Sequence, residues 1–299
     1  MVYEILLTGV HFDPRILPGR RQGEDQSIFN RGDPRMSRAR RIAWIAAGGL
    51  LLALPNAAVP QPDARPEPAL DPAALATLKR MSDYLTSLAS MRFQSEVEYD
   101  AVQADGQRIE FGSTRQVTVH RPNRMRVDAT DRNGARRSLF YDGRQVVLLD
   151  QAHDVYATAA QSGEVDAMLG YIEAQLGLPL PLGELLSAKL ALEIQEGLVF
   201  AGVVGEETID GVRCDHLALR NEDRGIQIWV EQGAKPLPRR VAITYEREPG
   251  QPQFRANLMK WDVKPRIQDS LFSFAPPKGA ERIAFNSLAG LAPAGKEAR

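Results

Sequence analysis

The 299-residue chain carries 37 Lys and Arg against 38 Asp and Glu, for a formal net charge of −1, and it contains one Cys. A balanced charge without a basic stripe argues against a nucleic-acid-binding protein. A single Cys excludes an internal disulfide bond and, on its own, a Cys-rich metal site. We therefore expect neither a cofactor nor a metal.

A segment inside the chain has the layout of a secretory signal peptide. Met36 begins a short basic stretch, residues 42–54 are almost wholly apolar, and residues 56–58 are Asn-Ala-Ala. The apolar run is roughly 13 residues, shorter than the ~20 residues that a membrane-spanning helix needs. We expect residues 36–58 to be a cleavable signal peptide and the mature protein to be periplasmic. An uncleaved membrane anchor is the alternative.

The composition around this signal divides the rest of the chain. Residues 1–35 have no sustained hydrophobic period, and we interpret them as a start codon assigned too early or else as a disordered cytoplasmic extension. Residues 59–70 are Pro-rich and indicate a linker. Residues 71–285 are expected to form the folded domain, and 286–299 a flexible tail. No Cys stands at the predicted cleavage point, so we expect a freely diffusing protein rather than a lipoprotein.

The first predicted element is a helix. Asp71 is a suitable N-cap, Pro72 occupies the favoured first helical position, and apolar residues then recur every three or four positions up to Leu88. This spacing produces one apolar stripe. The stripe needs a sheet or a cavity to lie against.

After this helix the hydrophobic period changes to two. Between residues 93 and 159, alternating segments separated by turn dipeptides such as Asp105-Gly106 predict about six antiparallel strands. Gly112 is interpreted as a β-bulge within the second of them. Strands of the same kind resume at Phe200 and continue to about Val263.

The segment between the two runs of strands has a helical period. Residues 164–177 carry apolar residues at helical spacing, Pro179 and Pro181 end this pattern, and residues 182–192 allow a second short helix. The insertion is expected to be a lid or cavity wall over the sheet, or simply to close its core.

About ten antiparallel strands cannot stay flat, because their inherent twist curls such a sheet. The economical arrangement is an incomplete barrel whose concave side is covered by the two helical segments. Such a barrel can enclose an apolar cavity. The candidate cavity residues are Val97, Tyr99, Met125, Val127, Met168, Ile172, Ile226, Ile228, Val241, Ile243, Tyr245 and Leu258.

Three segments carry a resemblance to a known family. Residues 211–218 (Gly-Val-Arg-Cys-Asp-His-Leu-Ala), residues 227–240 with a Trp strand and Pro-Leu-Pro-Arg-Arg, and the Phe-x-Phe-x-Pro-Pro tail at 272–283 resemble an uncharacterised family of predicted periplasmic proteins. That family is similar in turn to the lipoprotein carriers LolA and LolB. The resemblance implies a mainly β (α+β), curled antiparallel half-barrel of about eleven strands, with an N-terminal helix, a mid-chain helical lid and an apolar cavity. It does not imply lipoprotein transport.

Six motif residues have no role assigned by this resemblance: Cys214, Asp215, His216, Trp229, Arg239 and Arg240. Cys214 and His216 stand two apart on a strand and therefore share a face. They are interpreted as a structural pair, with half a metal site or a nucleophile as alternatives. Asp215 is expected on the opposite face, in solvent.

The remaining motif residues indicate a surface. Trp229 alternates with polar residues, which places it at a rim or a partner contact. Arg239 and Arg240 are interpreted as scattered solvated charges or, together with Arg213, Arg220 and Arg224, as a basic patch that meets anionic lipid headgroups or an acidic partner. A second such patch would consist of Arg124, Arg126, Arg136 and Arg137.

These observations leave three hypotheses on function. The first is a soluble, monomeric periplasmic carrier that holds an apolar ligand such as a lipid, an acyl chain or a lipidated protein, with transient contact to a membrane surface. The second is an envelope sensor or interaction module with a protein partner and no transport. The third, and remotest, is an enzyme built on Cys214 and His216.

Overall fold

The computed structural model describes residues 69–285, apart from 177–179, 181, 188 and 191–196. The predicted signal peptide, almost all of the linker and the tail after residue 285 lie outside the described residues. Within the part of the chain that is described, no helix is both long and apolar enough to cross a membrane.

The described residues contain thirteen strands and two α-helices. The strands are β1 (Ala69–Leu70), β2 (Ser90–Val102), β3 (Arg108–His120), β4 (Arg124–Asp131), β5 (Arg136–Tyr141), β6 (Gln145–Asp150), β7 (Val155–Ala160), β8 (Phe200–Ile209), β9 (Val212–Arg220), β10 (Arg224–Glu231), β11 (Pro238–Tyr245), β12 (Gln253–Asp262) and β13 (Glu281–Ile283). The helices are α1 (Pro72–Ser87) and α2 (Val165–Leu176), with short 3₁₀ helices at Glu184–Leu186 and Asp269–Phe272.

All thirteen strands belong to one open sheet, in the order β1-β8-β9-β10-β11-β12-β2-β3-β4-β5-β6-β7-β13. The eleven strands β2–β12 are antiparallel to their neighbours, with β12 beside β2. The short strands β1 and β13 add to the two ends in parallel, on β8 and β7. The predicted half-barrel of about eleven strands is therefore confirmed. The two extra strands are too short to show an alternating pattern.

The N-terminal helix begins as the sequence predicts. The Asp71 side chain accepts a hydrogen bond from the Ala73 backbone N–H at 2.8 Å, and Pro72 is the first helical residue. Leu78, Met81 and Leu85 are almost fully buried on one side of the helix. This stripe lies against the sheet and brings α1 into the same apolar cluster as the strands.

The sheet has one face covered by the helices, which we call the inner face, and an opposite outer face. Alternate residues of the strands point to the inner face and form a single buried cluster with α1 and α2. The pairing register keeps these residues aligned across neighbouring strands, as with Val117 opposite Val127 and Ile228 opposite Val241. The inner face therefore continues from one half of the sheet to the other.

The bulge predicted at Gly112 is wrong. The register between β2 and β3 runs without interruption, and Gly112 is paired with Glu98. A Cβ atom at this position would lie 2.5 Å from Nε of Arg132. Arg132 donates hydrogen bonds of 2.8 Å to both Glu98 and Glu110. The glycine thus makes room for an arginine that lies across the strand.

The C-terminal segment packs on the outer face. Phe274 contacts the rings of Phe140 and Tyr156, with centroid distances of 5.3 and 5.1 Å, within a small second apolar cluster. Phe272 is buried and stacks against His120. These contacts hold the segment beside strands β3–β7.

Candidate functional site: the inner face and the motif cluster

The structure brings all twelve predicted cavity residues into the one buried cluster on the inner side of the sheet. All of them are buried except Tyr245, which is partly buried against the others. They come from both halves of the sheet and from α2. Their shared location agrees with the predicted pattern, and their contact with a ligand remains a prediction.

The mid-chain insertion covers the inner face. Met168 and Ile172 of α2 are fully buried there, and Leu185 and Leu186 of the following 3₁₀ helix join the same cluster. Arg121, just after β3, donates a hydrogen bond of 2.8 Å to the backbone carbonyl of Leu186. Burial lowers the pKa of Arg121. This partly buried arginine therefore attaches the insertion to one end of the central strands.

A buried ion-pair network lies at the β4–β6 part of the inner face. The guanidinium of Arg137 is 2.9 Å from an Asp131 oxygen and 3.3 Å from an Asp150 oxygen. His153 lies 3.0 Å from Asp150. Burial raises the pKa of Asp131, while Arg137 and Arg115 oppose the shift. Each charge of this group has a partner of opposite sign.

A second buried arginine lies on the neighbouring strands with far fewer contacts. Arg115 is only 5% exposed, and its one hydrogen bond within the described residues is from Nε to Ser113 Oγ at 3.3 Å. Directly opposite on β2 is Ser95, which is fully buried and whose Oγ has no hydrogen-bond partner among the described residues. Burial lowers the pKa of Arg115 to about 10.

Three of the six motif residues form a different group, on the outer face. The rings of His216 and Trp229 are stacked with their centroids 4.1 Å apart. The Glu207 carboxylate accepts a hydrogen bond from the Trp229 indole at 2.9 Å and lies 2.9 Å from Nδ1 of His216. The Arg240 guanidinium lies over the Trp229 ring, 5.6 Å from its centroid, and donates a hydrogen bond to Asn257. We call Glu207, His216, Trp229 and Arg240 the motif cluster.

Cys214 and His216 lie on the same face of β9, as predicted. Their surroundings do not favour the alternative in which Cys214 acts as a nucleophile. Both ring nitrogens of His216 have other partners, Glu207 and Gln227. Cys214 is fully buried, and burial raises the pKa of its thiol. A buried thiol with a raised pKa is less ionised at neutral pH and is therefore a poor nucleophile.

Asp215 and the arginines differ from their predicted surroundings. Asp215 is on the opposite face from its neighbours, as expected, but is partly buried, 3.6 Å from Arg80 of α1 and hydrogen-bonded by Gln232. Arg239 is paired with Glu231, with Nε at 3.0 Å. Arg137 lies buried on the inner face, so it cannot share a surface patch with Arg126, which is paired with Asp128 on the outer face.

Sequence reasoning missed Glu207, Ser95, Ser113 and Arg115. Serine and arginine at inner-face positions of β2 and β3 interrupt an otherwise apolar alternation, which is the available signal. Glu207 follows a register shift in β8 between Val203 and Gly205, which obscures the alternation there. Within the described residues, no group of three or more His, Cys, Asp or Glu side chains is placed to hold a metal ion.

The fold and this arrangement define a protein of the half-barrel class. A family model described as "Predicted periplasmic protein (DUF2092)" matches residues 74–286, and the chain belongs to this family. No curated protein matches the chain.

Several solved structures are similar at low identity. LprF from Mycobacterium bovis has 13% identity and a TM-score of 0.43, covering 67% of this chain and 97% of its own. The lipoprotein LppX from Mycobacterium tuberculosis has 16% identity and a TM-score of 0.41, with coverages of 66% and 98%. The LolA superfamily protein NE2245 from Nitrosomonas europaea has 12% identity and a TM-score of 0.33, with coverages of 67% and 97%.

Proposed function

We propose that this protein is a periplasmic binding protein that holds an apolar ligand, such as a lipid or an acyl chain, between the inner face and its helical cover. The observation that carries the proposal is the continuous apolar inner face. It extends across both halves of the sheet and is buried beneath α1 and α2. The dimensions of these elements explain why such a face can enclose space.

Eleven strands spaced by about 4.8 Å give a sheet roughly 50 Å wide. Helix α1 has 16 residues and α2 has 12, which correspond to lengths of about 24 and 18 Å. Two helices of this size cannot cover a flat sheet of that width. The sheet has to curl so that its apolar side chains face one another, and curled antiparallel sheets of this size enclose ligand cavities in other proteins.

The proposal can be tested with one pair of tryptophan substitutions on β11. Val241 is buried on the inner face, and the adjacent Ala242 points to the outer face. If the inner face lines an open cavity, Val241→Trp occupies ligand space, lowers the affinity for a fluorescent apolar probe and changes stability little. Ala242→Trp leaves probe binding intact.

If side chains fill the space beneath the inner face, the expected results are the opposite. Wild-type protein then fails to bind the probe, and Val241→Trp destabilises the protein by about 1–3 kcal/mol because overpacking forces strain on its neighbours. Native mass spectrometry of protein purified from the periplasm provides a second measurement. A ligand-free spectrum together with no probe binding would rule out the proposal.

The motif cluster favours a second candidate function, in which the outer face binds an envelope protein. It places a nearly buried Trp229 and an exposed Glu207 side by side on a surface that the inner-face ligand does not need. If this candidate is correct, Glu207→Ala abolishes capture of one stoichiometric protein partner and leaves probe binding unchanged. Capture that survives Glu207→Ala and Arg240→Ala would exclude the cluster as the partner site.

A further inference from the structure

We propose that Arg115, Ser95 and Ser113 form a head-group site within the inner face, which binds the oxyanion of a single-chain amphiphile such as a fatty acid. This inference rests on the proposed function, because the acyl tail would lie along the apolar cluster already described. It specifies that the ligand carries a negative charge at one end.

The first step of the argument is the cost of Arg115 in its present surroundings. Arg115 is only 5% exposed as a residue. A buried guanidinium loses much of its hydration, and this loss has to be compensated by hydrogen bonds or by a nearby negative charge. Within the described residues, Arg115 makes one hydrogen bond, and no acid lies within ion-pair distance. Tyr99 and Asp131 act on it electrostatically without an ion-pair contact, and the Asp131 carboxylate is paired with Arg137.

The second step is the arrangement of donors. Ser95 stands directly opposite Arg115 on the adjacent strand, and Ser113 occupies the preceding inner-face position of the same strand as Arg115. Side chains opposite each other on one face of a sheet are about 5 Å apart at Cβ. Two hydroxyls and a guanidinium therefore converge on one location, and this combination of donors matches a carboxylate or a phosphate.

The third step is the environment of these donors. The strand partners of Ser95, Arg115 and Ser113 include Leu258, Ala129 and Val97, all of which are buried. On β4, Ser113 is also opposite Asp131, whose carboxylate is paired with Arg137. The site lies close to the middle of the thirteen-stranded order, since β2 and β3 are its central strands. A ligand that reaches it meets mainly apolar side chains, with the Asp131–Arg137 ion pair to one side. Small hydrophilic anions gain little there, whereas an anionic head with an acyl tail satisfies both parts of the surface.

The test compares ligands with one tail and different heads. Lipid-free protein is titrated with oleate, oleyl phosphate and oleyl alcohol by displacement of a fluorescent apolar probe, and with inorganic phosphate alone. We expect the two anions to bind about 10- to 100-fold more tightly than the alcohol, as charge-assisted hydrogen bonds allow. Arg115→Met should remove this preference while the alcohol binds as before. Arg92→Met, on the outer face of the neighbouring strand, should keep it.

A second variant covers the case in which Arg115→Met does not fold. Ser95→Ala removes a hydroxyl that has no partner among the described residues and should weaken oleate several-fold without affecting the alcohol. Equal affinity of wild-type protein for oleate and the alcohol, or a preference that survives both variants, overturns the head-group site and leaves the proposed function intact. Competition by inorganic phosphate alone would assign the site to a free oxyanion instead. Absence of binding by every ligand overturns both proposals.

Discussion

Two arginines lie buried on the same inner face, a few strands apart, and their surroundings are opposite. Arg137 is held between Asp131 and Asp150, whose side chains are 10% and 4% exposed against 7% for the arginine. Among the residues that the structure describes, Arg115 has a single hydrogen bond, to a serine. Both are 5–7% exposed, so burial does not distinguish them.

This difference indicates which of the two arginines is needed for the stability of the folded sheet. A buried charge that is paired with opposite charges on both sides matters for stability chiefly because its removal leaves those partners buried without a counter-charge. A buried charge with as few partners as Arg115 has among the described residues lowers stability, and such groups occur preferentially at functional sites.

The largest effect is expected from Arg137→Met. The substitution leaves Asp131 and Asp150 buried beside each other without their shared cation, and we expect the free energy of unfolding to fall by about 3–5 kcal/mol. Equilibrium urea denaturation measures this change.

The matched variant is Arg115→Met, on the same face and equally buried. Because it removes a poorly compensated charge, its free energy of unfolding should stay within about 1 kcal/mol of wild type or rise above it. A loss of the size expected for Arg137→Met would show that Arg115 is also a structural residue, and the comparison would then fail.

The comparison also explains what the sequence could and could not predict. Alternation along β2–β12 and the cap at Asp71 are local patterns, so the antiparallel sheet and α1 followed from them. The role of Arg115 depends on which long-range partners its guanidinium does or does not reach. The bulge predicted at Gly112 is wrong because Ser113 and Arg115, which follow it, are polar residues at inner-face positions of an unbroken register.

A substitution in the motif cluster, which lies on the other face of the sheet from both arginines, is expected to change the free energy of unfolding by an intermediate amount. Trp229 is 7% exposed, stacks on His216 and donates to Glu207. Trp229→Ala should lower the free energy of unfolding by about 2–4 kcal/mol, since it removes a large ring and leaves His216 without its stacking partner. Trp229→Phe should recover about half of the loss. Unchanged stability of the alanine variant in urea would mean that the ring serves a partner alone.

A smaller effect is expected at the start of α1. Asp71 accepts the hydrogen bond from the Ala73 backbone N–H, and Asp71→Ala should cost about 1 kcal/mol. Asp71→Asn keeps an acceptor at the same position and should be nearly neutral. Thermal denaturation of the three proteins side by side measures the order. A loss in Asp71→Asn equal to that in Asp71→Ala would contradict a capping role.

The smallest effect concerns the pH dependence of the motif cluster. The hydrogen bond from Trp229 is the main reason why the pKa of Glu207 lies below its usual value of 4.5. Because the carboxylate is favoured in the folded state, its contribution is present above that value and is lost as the pH falls through the lowered folded pKa. Glu207→Gln should therefore lose part of the pH dependence of the melting temperature in this acidic range. Arg115→Met should keep that dependence. The guanidinium that it removes is protonated throughout the acidic range and lies on the opposite face of the sheet.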